Sequence, residues 1–149
     1  MKKRLAIMIP LAAVVAAVMV YLLAARPWLV TNDPNTYDIR ADAPVSIIFD
    51  QFDKTQGVYR IVNSGSEAAF CTNRFALQYQ KNGGWYNVKA DNSGESQVAL
   101  KLEPGGTEYF STFWRSGEKP IPGGEYRLVT PIKTGSGGDY WIAAPFSVP

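Results

Sequence analysis

Hydrophobic and polar residues follow two different patterns along this chain. From Leu5 to Ala25 no charged residue occurs, and the run LAIMIPLAAVVAAVMVYLLAA is almost wholly apolar. Beyond it, short segments alternate between apolar and polar positions and are separated by turn residues. A continuous apolar run of this length predicts a membrane-spanning helix, whereas alternation with a period of two predicts half-buried β-strands.

The apolar run has the length and the flanking charges of a transmembrane helix. At about 1.5 Å per residue it would extend about 30 Å, which matches the hydrocarbon core of a bilayer. Lys2, Lys3 and Arg4 precede the run, and only Arg26 closely follows it. Because basic residues favour the cytoplasmic side, we expect 1–4 to be a cytoplasmic tip and 5–25 a single-pass signal anchor in the cell membrane, with the rest extracytoplasmic.

A cleaved signal peptide is the competing interpretation of the same run. Signal peptides usually have a shorter apolar region, of about 7 to 15 residues, that ends in a small-x-small site. Cleavage after Ala24 or Ala25 would place Leu22 or Leu23 where a small side chain is needed. The sequence therefore favours an uncleaved anchor, and either interpretation exports the rest of the chain.

The exported part begins with a polar stretch and continues as a series of alternating segments. Residues 26–43 contain two prolines and no helical periodicity, so we expect a spacer with a short first strand at Tyr37–Arg40. The predicted strands that follow are VSIIF (45–49), GVYRIV (57–62), RFALQYQ (74–80), WYNV (85–88), QVALKL (97–102), TEYFSTFW (107–114), EYRLVT (125–130) and YWIAAPFSV (140–148).

Turn residues between these segments support a sandwich of two antiparallel sheets over residues 44–149. Asn82-Gly83-Gly84 is a strong hairpin signal, because Asn and Gly tolerate positive φ. Regular short strands and turns predict an all-β sandwich, with a closed small barrel as the alternative. The residues predicted to face the core are Val45, Ile47, Phe49, Tyr59, Ile61, Phe75, Leu77, Tyr79, Val98, Leu100, Leu102, Tyr126, Leu128, Ile142, Ala144, Phe146 and Val148.

Composition argues against several classes of function. Four of the 15 basic residues flank the apolar run, so the part after Arg26 has 11 basic and 13 acidic residues and no basic footprint for nucleic acid. The chain has one cysteine and no histidine, so it lacks the usual base for a nucleophile and the usual ligands of zinc. We expect no catalytic residue, no metal and no cofactor, and we expect Cys71 to be a buried free thiol.

Carboxylates are the remaining candidates for chemistry. Asp50 with Asp53, and Asp91 with Glu95, can in principle act as an acid and a base or bind calcium. The same residue types are ordinary turn formers, whose side chains hydrogen-bond to their own backbone. The sequence favours the turn interpretation.

Two pairs of adjacent aromatic residues form the candidate binding surface. Trp85-Tyr86 and Tyr140-Trp141 each lie in a predicted strand, so the two rings of a pair point to opposite faces. One ring of each pair must then face away from the core, where a flat ring suits a sugar or a protein partner. The alternative is that these rings only cover the sheet edges.

Six motifs occur in order along the exported part of the chain. They are Val58-Tyr59-Arg60-Ile61-Val62-Asn63, Phe75-x-Leu77, Gly84-Trp85-Tyr86-x-Val88, Leu102-x-Pro104-Gly105, Pro122-Gly123-Gly124-Glu125-Tyr126-Arg127-Leu128 and Phe146-Ser147-Val148. Together they resemble the bacterial immunoglobulin-like domain family of Gram-positive envelope proteins. The resemblance covers about residues 44–148, and Cys71 and an extra glycine before Glu125 depart from the family pattern. It implies an immunoglobulin-like fold and an envelope location, but no reaction.

The sequence as a whole predicts a membrane-anchored, extracytoplasmic immunoglobulin-like module that binds or supports other components of the bacterial cell envelope. Its expected partners are the membrane, through the N-terminal helix, and a protein or envelope polymer, but no nucleic acid. A weaker resemblance to small bacterial proteinase-inhibitor sandwiches gives the alternative, a tethered inhibitor-like or accessory subunit of a neighbouring envelope enzyme. Tyr126 is also expected to form a tyrosine corner with the backbone of the Pro120–Gly123 turn.

The N-terminal run is expected to remain attached to the native protein, because it is long and lacks a small residue at the required position. Intact mass measurement and N-terminal sequencing of protein purified from membranes check this prediction. A mature chain that begins near Arg26 would show instead that the run is a cleaved signal peptide.

Overall fold

The computed structural model describes residues 14–16, 30–34, 37–88, 99–114, 120–135 and 138–149. Within these residues the chain forms two antiparallel sheets, which confirms the predicted all-β sandwich. The strands are β1 (Val30–Pro34), β2 (Val45–Phe52), β3 (Gln56–Asn63), β4 (Ala69–Cys71), β5 (Ala76–Lys81), β6 (Gly84–Val88), β7 (Leu100–Leu102), β8 (Thr107–Phe113), β9 (Gly124–Thr134) and β10 (Gly138–Val148).

The larger sheet is organised around β9. Its order is β1-β6-β5-β9-β4-β7, and β10 pairs with the other side of β9 in unbroken register from Gly124↔Val148 to Thr134↔Gly138. The smaller sheet has the order β2-β3-β8. Because β9 is hydrogen-bonded to a neighbouring strand on each side along most of its length, its register is fixed. Its side chains therefore have defined positions, alternately on one face of the sheet and on the other.

One side of β9 is divided between two short strands. Residues Ala76 to Tyr79 of β5 pair with its first half, and β4 pairs with its end. The buried Thr130 hydroxyl lies at the break and donates a hydrogen bond of 2.7 Å to the Arg74 carbonyl. The neighbouring Pro131 has no backbone N–H to leave unpaired there. Alternation alone does not predict β4, which has only three residues.

The core lies between the two sheets and agrees closely with the predicted inward faces. Phe146 is at its centre, with its ring 4.8 Å from that of Phe49, 5.0 Å from that of Trp114 and 5.7 Å from that of Tyr126. Leu100 is an exception, because its side chain is 39% exposed on a three-residue edge strand. Val98 lies outside the described residues.

Asn63 is a buried polar residue that joins three parts of the backbone. Its Nδ2 lies 2.8 Å from the Glu67 carbonyl oxygen, 3.0 Å from that of Leu102 and 3.3 Å from that of Glu103. Its Oδ1 accepts a hydrogen bond of 2.9 Å from the Gly65 N–H. These bonds satisfy backbone groups at the end of β3 and beside β7, which would otherwise be costly to bury.

The predicted hairpin at Asn82 is confirmed. Asn82 and Gly83 both have positive φ, 52° and 78°, and they connect β5 to β6. Two successive residues with positive φ match the right-handed twist of the flanking strands.

The N-terminal part of the chain is described only in pieces. Of the predicted anchor at 5–25, only 14–16 are described, and they are helical. Among the described residues no helix is long and apolar enough to span a membrane. Within the predicted spacer, β1 pairs with β6, and Ile39 forms a parallel bridge with Trp141 where the sequence predicts a strand. The spacer range therefore contributes to the larger sheet.

Replacing Tyr126 with Phe should lower the free energy of unfolding by about 1–2 kcal/mol, because a partly buried carbonyl would lose its donor. The Tyr126 hydroxyl donates a hydrogen bond of 2.8 Å to the Pro122 carbonyl, which confirms the tyrosine corner, and burial raises its pKa. Urea denaturation measures the change, with Tyr109→Phe, at a ring that is 66% exposed, as the control. Equal midpoints for Tyr126→Phe and the parent would contradict the role of this bond.

The Cys71 thiol should react slowly in the folded protein and rapidly after unfolding. Cys71 is free and fully buried, and burial, followed by the charge of Glu108, raises the pKa of its thiol to about 11. The rate of labelling by a soluble thiol reagent at about pH 8, with and without urea, measures this difference, since an ordinary thiol has a pKa of roughly 8.5. Rapid labelling without urea would contradict the burial.

Candidate functional site

The structure assigns the rings of the first aromatic pair to opposite faces of the larger sheet. On β6, Tyr86 lies directly opposite Tyr79 of β5, whose ring packs against the core. Trp85 lies opposite Gln80 and therefore belongs to the outer face. Both side chains are half-buried. Trp85 is thus the ring of this pair that faces away from the core.

The second pair is divided in the same way, but both of its rings have partners in the segment that precedes β2. Tyr140 packs against the core, and the Arg40 guanidinium lies 5.2 Å from the centre of its ring. Trp141 is on the outer face, where its ring centre is 4.3 Å from that of Tyr37. The outward ring of the second pair is therefore partly covered by this chain.

Trp85 belongs to a row of outer-face side chains on three neighbouring strands. The Arg127 guanidinium of β9 lies 4.5 Å from the centre of the Trp85 ring. The Nε–H of Arg127 donates a hydrogen bond of 2.7 Å to Gln78 Oε1, and Gln78 Nε2 donates one of 2.8 Å to Asn87 Oδ1. Gln78 is fully buried. The row therefore holds the Arg127 cation in a defined position against an aromatic face.

The charge of Arg127 has no acidic partner in the part of the chain that the structure describes. None of the ion pairs there includes Arg127, and its Nη2 is buried without a hydrogen-bond partner. Desolvation lowers the pKa of Arg127 from its ordinary value. A cation that is partly removed from water without a carboxylate is unfavourable, and a ligand that supplied one would relieve that cost.

Arg127 and Trp85 line a cleft of about 680 Å³. We call it the β2–β10 cleft, because residues of these two strands form most of its lining, with residues 39–43 at one side. Its lining is mainly apolar and includes Ala143 and Pro145 of β10. Among the described residues, the charged ones that line it are Arg40 and Arg127, and Arg40 pairs with Asp42 at 3.2 Å. The cleft is thus apolar with a cationic part beside Trp85.

A second exposed surface lies on the smaller sheet and is absent from the sequence prediction. Tyr109 and Phe113 of β8 are each 66% exposed. The segment TEYFSTFW contains the pattern that predicts this surface. With a period of two, Tyr109 and Phe113 share one face of the strand, and Phe110 and Trp114 share the other face. A strand with aromatic residues on both faces must expose one set in a two-layer fold.

The candidate carboxylates take structural roles. Asp53 Oδ1 accepts hydrogen bonds from the Thr55 N–H and hydroxyl, both at 2.6 Å, and from the Gln56 N–H at 2.9 Å, and these bonds lower the pKa of Asp53. Asp50 pairs with Arg60 at 3.4 Å. The turn interpretation is confirmed for Asp53. Asp91 and Glu95 lie outside the described residues, within which no group of three or more potential metal ligands occurs.

Comparison with known proteins gives one family match. A family model described as a bacterial Ig-like domain matches residues 44–147. No curated protein matches the chain. Among solved structures, the chain is similar to the ApaA protein of Bordetella pertussis, with 20% identity, a TM-score of 0.41, and 81% of this chain and 93% of that one covered.

Two further solved structures are similar at lower identity. For a structural-genomics target named SoR45 the identity is 14% and the TM-score 0.43, with 72% of this chain and 88% of that one covered. For the sporulation control protein Spo0M of Bacillus subtilis the identity is 16% and the TM-score 0.38, with 70% of this chain and 48% of that one covered.

Proposed function

The chain belongs to the bacterial Ig-like domain family, and from this premise we propose that it is a membrane-anchored, extracytoplasmic binding module of the bacterial cell envelope. Residues 5–25 would hold it in the membrane. The domain would bind a protein or an envelope polymer and would catalyse no reaction.

The β2–β10 cleft is the observation that carries this proposal. Its volume of about 680 Å³ lies within the usual range for ligand sites, and its apolar lining with a few polar groups is typical of them. Trp85 stands at the cleft beside a cation, and aromatic residues together with arginine are enriched where proteins bind partners.

The chemistry of the described residues favours binding over catalysis. The Cys71 thiol is buried and has a raised pKa, so it is a poor nucleophile. The Asp53 carboxylate is occupied by hydrogen bonds within its own turn. Arg127 and Trp85, in contrast, are groups that recognise ligands without exchanging protons at neutral pH.

The length and flanking charges of the apolar run support the anchor. Strand β1 begins at Val30, soon after this run ends, so the sandwich would stand close to the membrane surface. Tethering raises the effective concentration of the domain for membrane neighbours, and modest intrinsic affinity would then be enough for binding.

Replacing Trp85 with Ser should abolish co-purification of the bound partner while changing the melting temperature little, because the ring lies on the outer face and is not part of the hydrophobic core. The measurement is affinity purification of the tagged full chain from crosslinked membranes, followed by identification of the captured components. Tyr109→Ser is the matched control, since it removes an exposed ring from the smaller sheet.

If Trp85→Ser keeps the partner and Tyr109→Ser loses it, the binding surface lies on β8 and not at the cleft. Unfolding of Trp85→Ser would show that the ring belongs to the core. Hydrolysis of a wall fragment or peptide by the purified protein would overturn the non-enzymatic function.

A further inference from the structure

Within the described residues, the outer edge of β10 is unpaired along most of its length. Among the described residues it is contacted at Trp141, which forms a bridge with Ile39 and whose carbonyl accepts a hydrogen bond of 2.8 Å from the Arg40 N–H. The Trp141 carbonyl therefore points away from β9. Since backbone groups alternate in direction along a strand, the N–H and C=O groups of Ala143 point to the same open edge.

Across the cleft lies a second strand edge that is unpaired within the part of the chain that the structure describes. β2 pairs with β3 and is the first strand of the smaller sheet. The aromatic contacts of Phe146 with Phe49 at 4.8 Å and with Phe52 at 5.2 Å hold β2 beside β10. The cleft thus lies between two strands whose facing edges are unpaired along most of the described part, and such edges are templates for an added strand.

Charge restricts what can be added there. Within the part of the chain that the structure describes, the two charged side chains that line the cleft are arginines, and of the two only Arg40 has a carboxylate partner there. The Arg127 guanidinium is positioned by Gln78 and Trp85. Pro145 has no N–H, so the β10 edge offers one backbone donor fewer and backbone pairing there is weaker. Side-chain contacts must therefore determine which segment binds.

We propose that the β2–β10 cleft binds an extended peptide segment with alternating apolar and acidic residues, which adds to the open edge of β10 and places a carboxylate on Arg127. The small side chains of Ala143 and Pro145 leave room for it. Phe52, which is 42% exposed, offers an apolar contact at the β2 side. This inference rests on the proposed function and names the chemistry of its partner.

Fluorescence anisotropy with the purified full chain tests the charge. The probes are a labelled, end-capped peptide of alternating valine and glutamate and a matched peptide of valine and lysine. The glutamate peptide should bind, the lysine peptide should not, and Arg127→Gln should weaken binding by about 10- to 100-fold, as expected for a charge-assisted hydrogen bond. Equal binding of the two peptides would overturn the proposal, and this comparison does not depend on whether Arg127→Gln folds.

A second pair of variants tests the strand edge. Ala143→Pro removes an N–H that points away from β9 and should abolish peptide binding, whereas Ala143→Ser keeps the N–H and should retain measurable binding. Circular dichroism confirms that both variants are folded, and the same peptide with N-methylated backbone nitrogens should not bind the parent. Undiminished binding of the N-methylated peptide would overturn strand addition.

The outcomes separate this inference from the proposed function. If the glutamate peptide does not bind but Trp85→Ser still loses the co-purified partner, the inferred peptide chemistry is wrong. The proposed function as a binding module is not affected by that result. Binding of anionic lipid vesicles in place of the glutamate peptide would likewise overturn the inference and identify a lipid ligand.

Discussion

The ladder between β9 and β10 is the constraint on which the rest of the structure depends. It pairs the two strands over their full length, and β5 and β4 extend the sheet from the other side of β9. Tyr126 and Leu128 face the core, and Arg127 between them faces outward. A slip of one residue would exchange the two faces, so the same register determines both the core and the outer-face row beside the cleft.

Core packing also sets the shape of the candidate site. Phe146 of β10 contacts Phe49 and Phe52 of β2, and through them the edge of the smaller sheet is held against the edge of the larger one. The walls of the cleft are therefore built from residues that also stabilise the fold. A site formed in this way is organised before its ligand arrives, which reduces the entropy cost of binding.

The aromatic pairs show how far a pattern of residues leads toward a site. Alternation correctly implies that one ring of each pair faces outward, and the structure places Trp85 and Trp141 there. It does not distinguish the two, because Trp141 is partly covered by Tyr37, which is far from it in the sequence. Arg127 lies in one of the motifs that carry the family resemblance. Its contact with Trp85, however, cannot be predicted without knowing which strands pair.

Local rules were enough for the sequence to determine most strands, the Asn82 hairpin, the tyrosine corner at Tyr126 and nearly all inward faces. These features depend on side-chain period, backbone φ and contacts between residues close in the chain. Strands β1 and β4, the exposure of Leu100 and the cleft were decided by the tertiary structure. Each depends on which distant strands pair and which edges stay open, and a period of two contains no information about that choice.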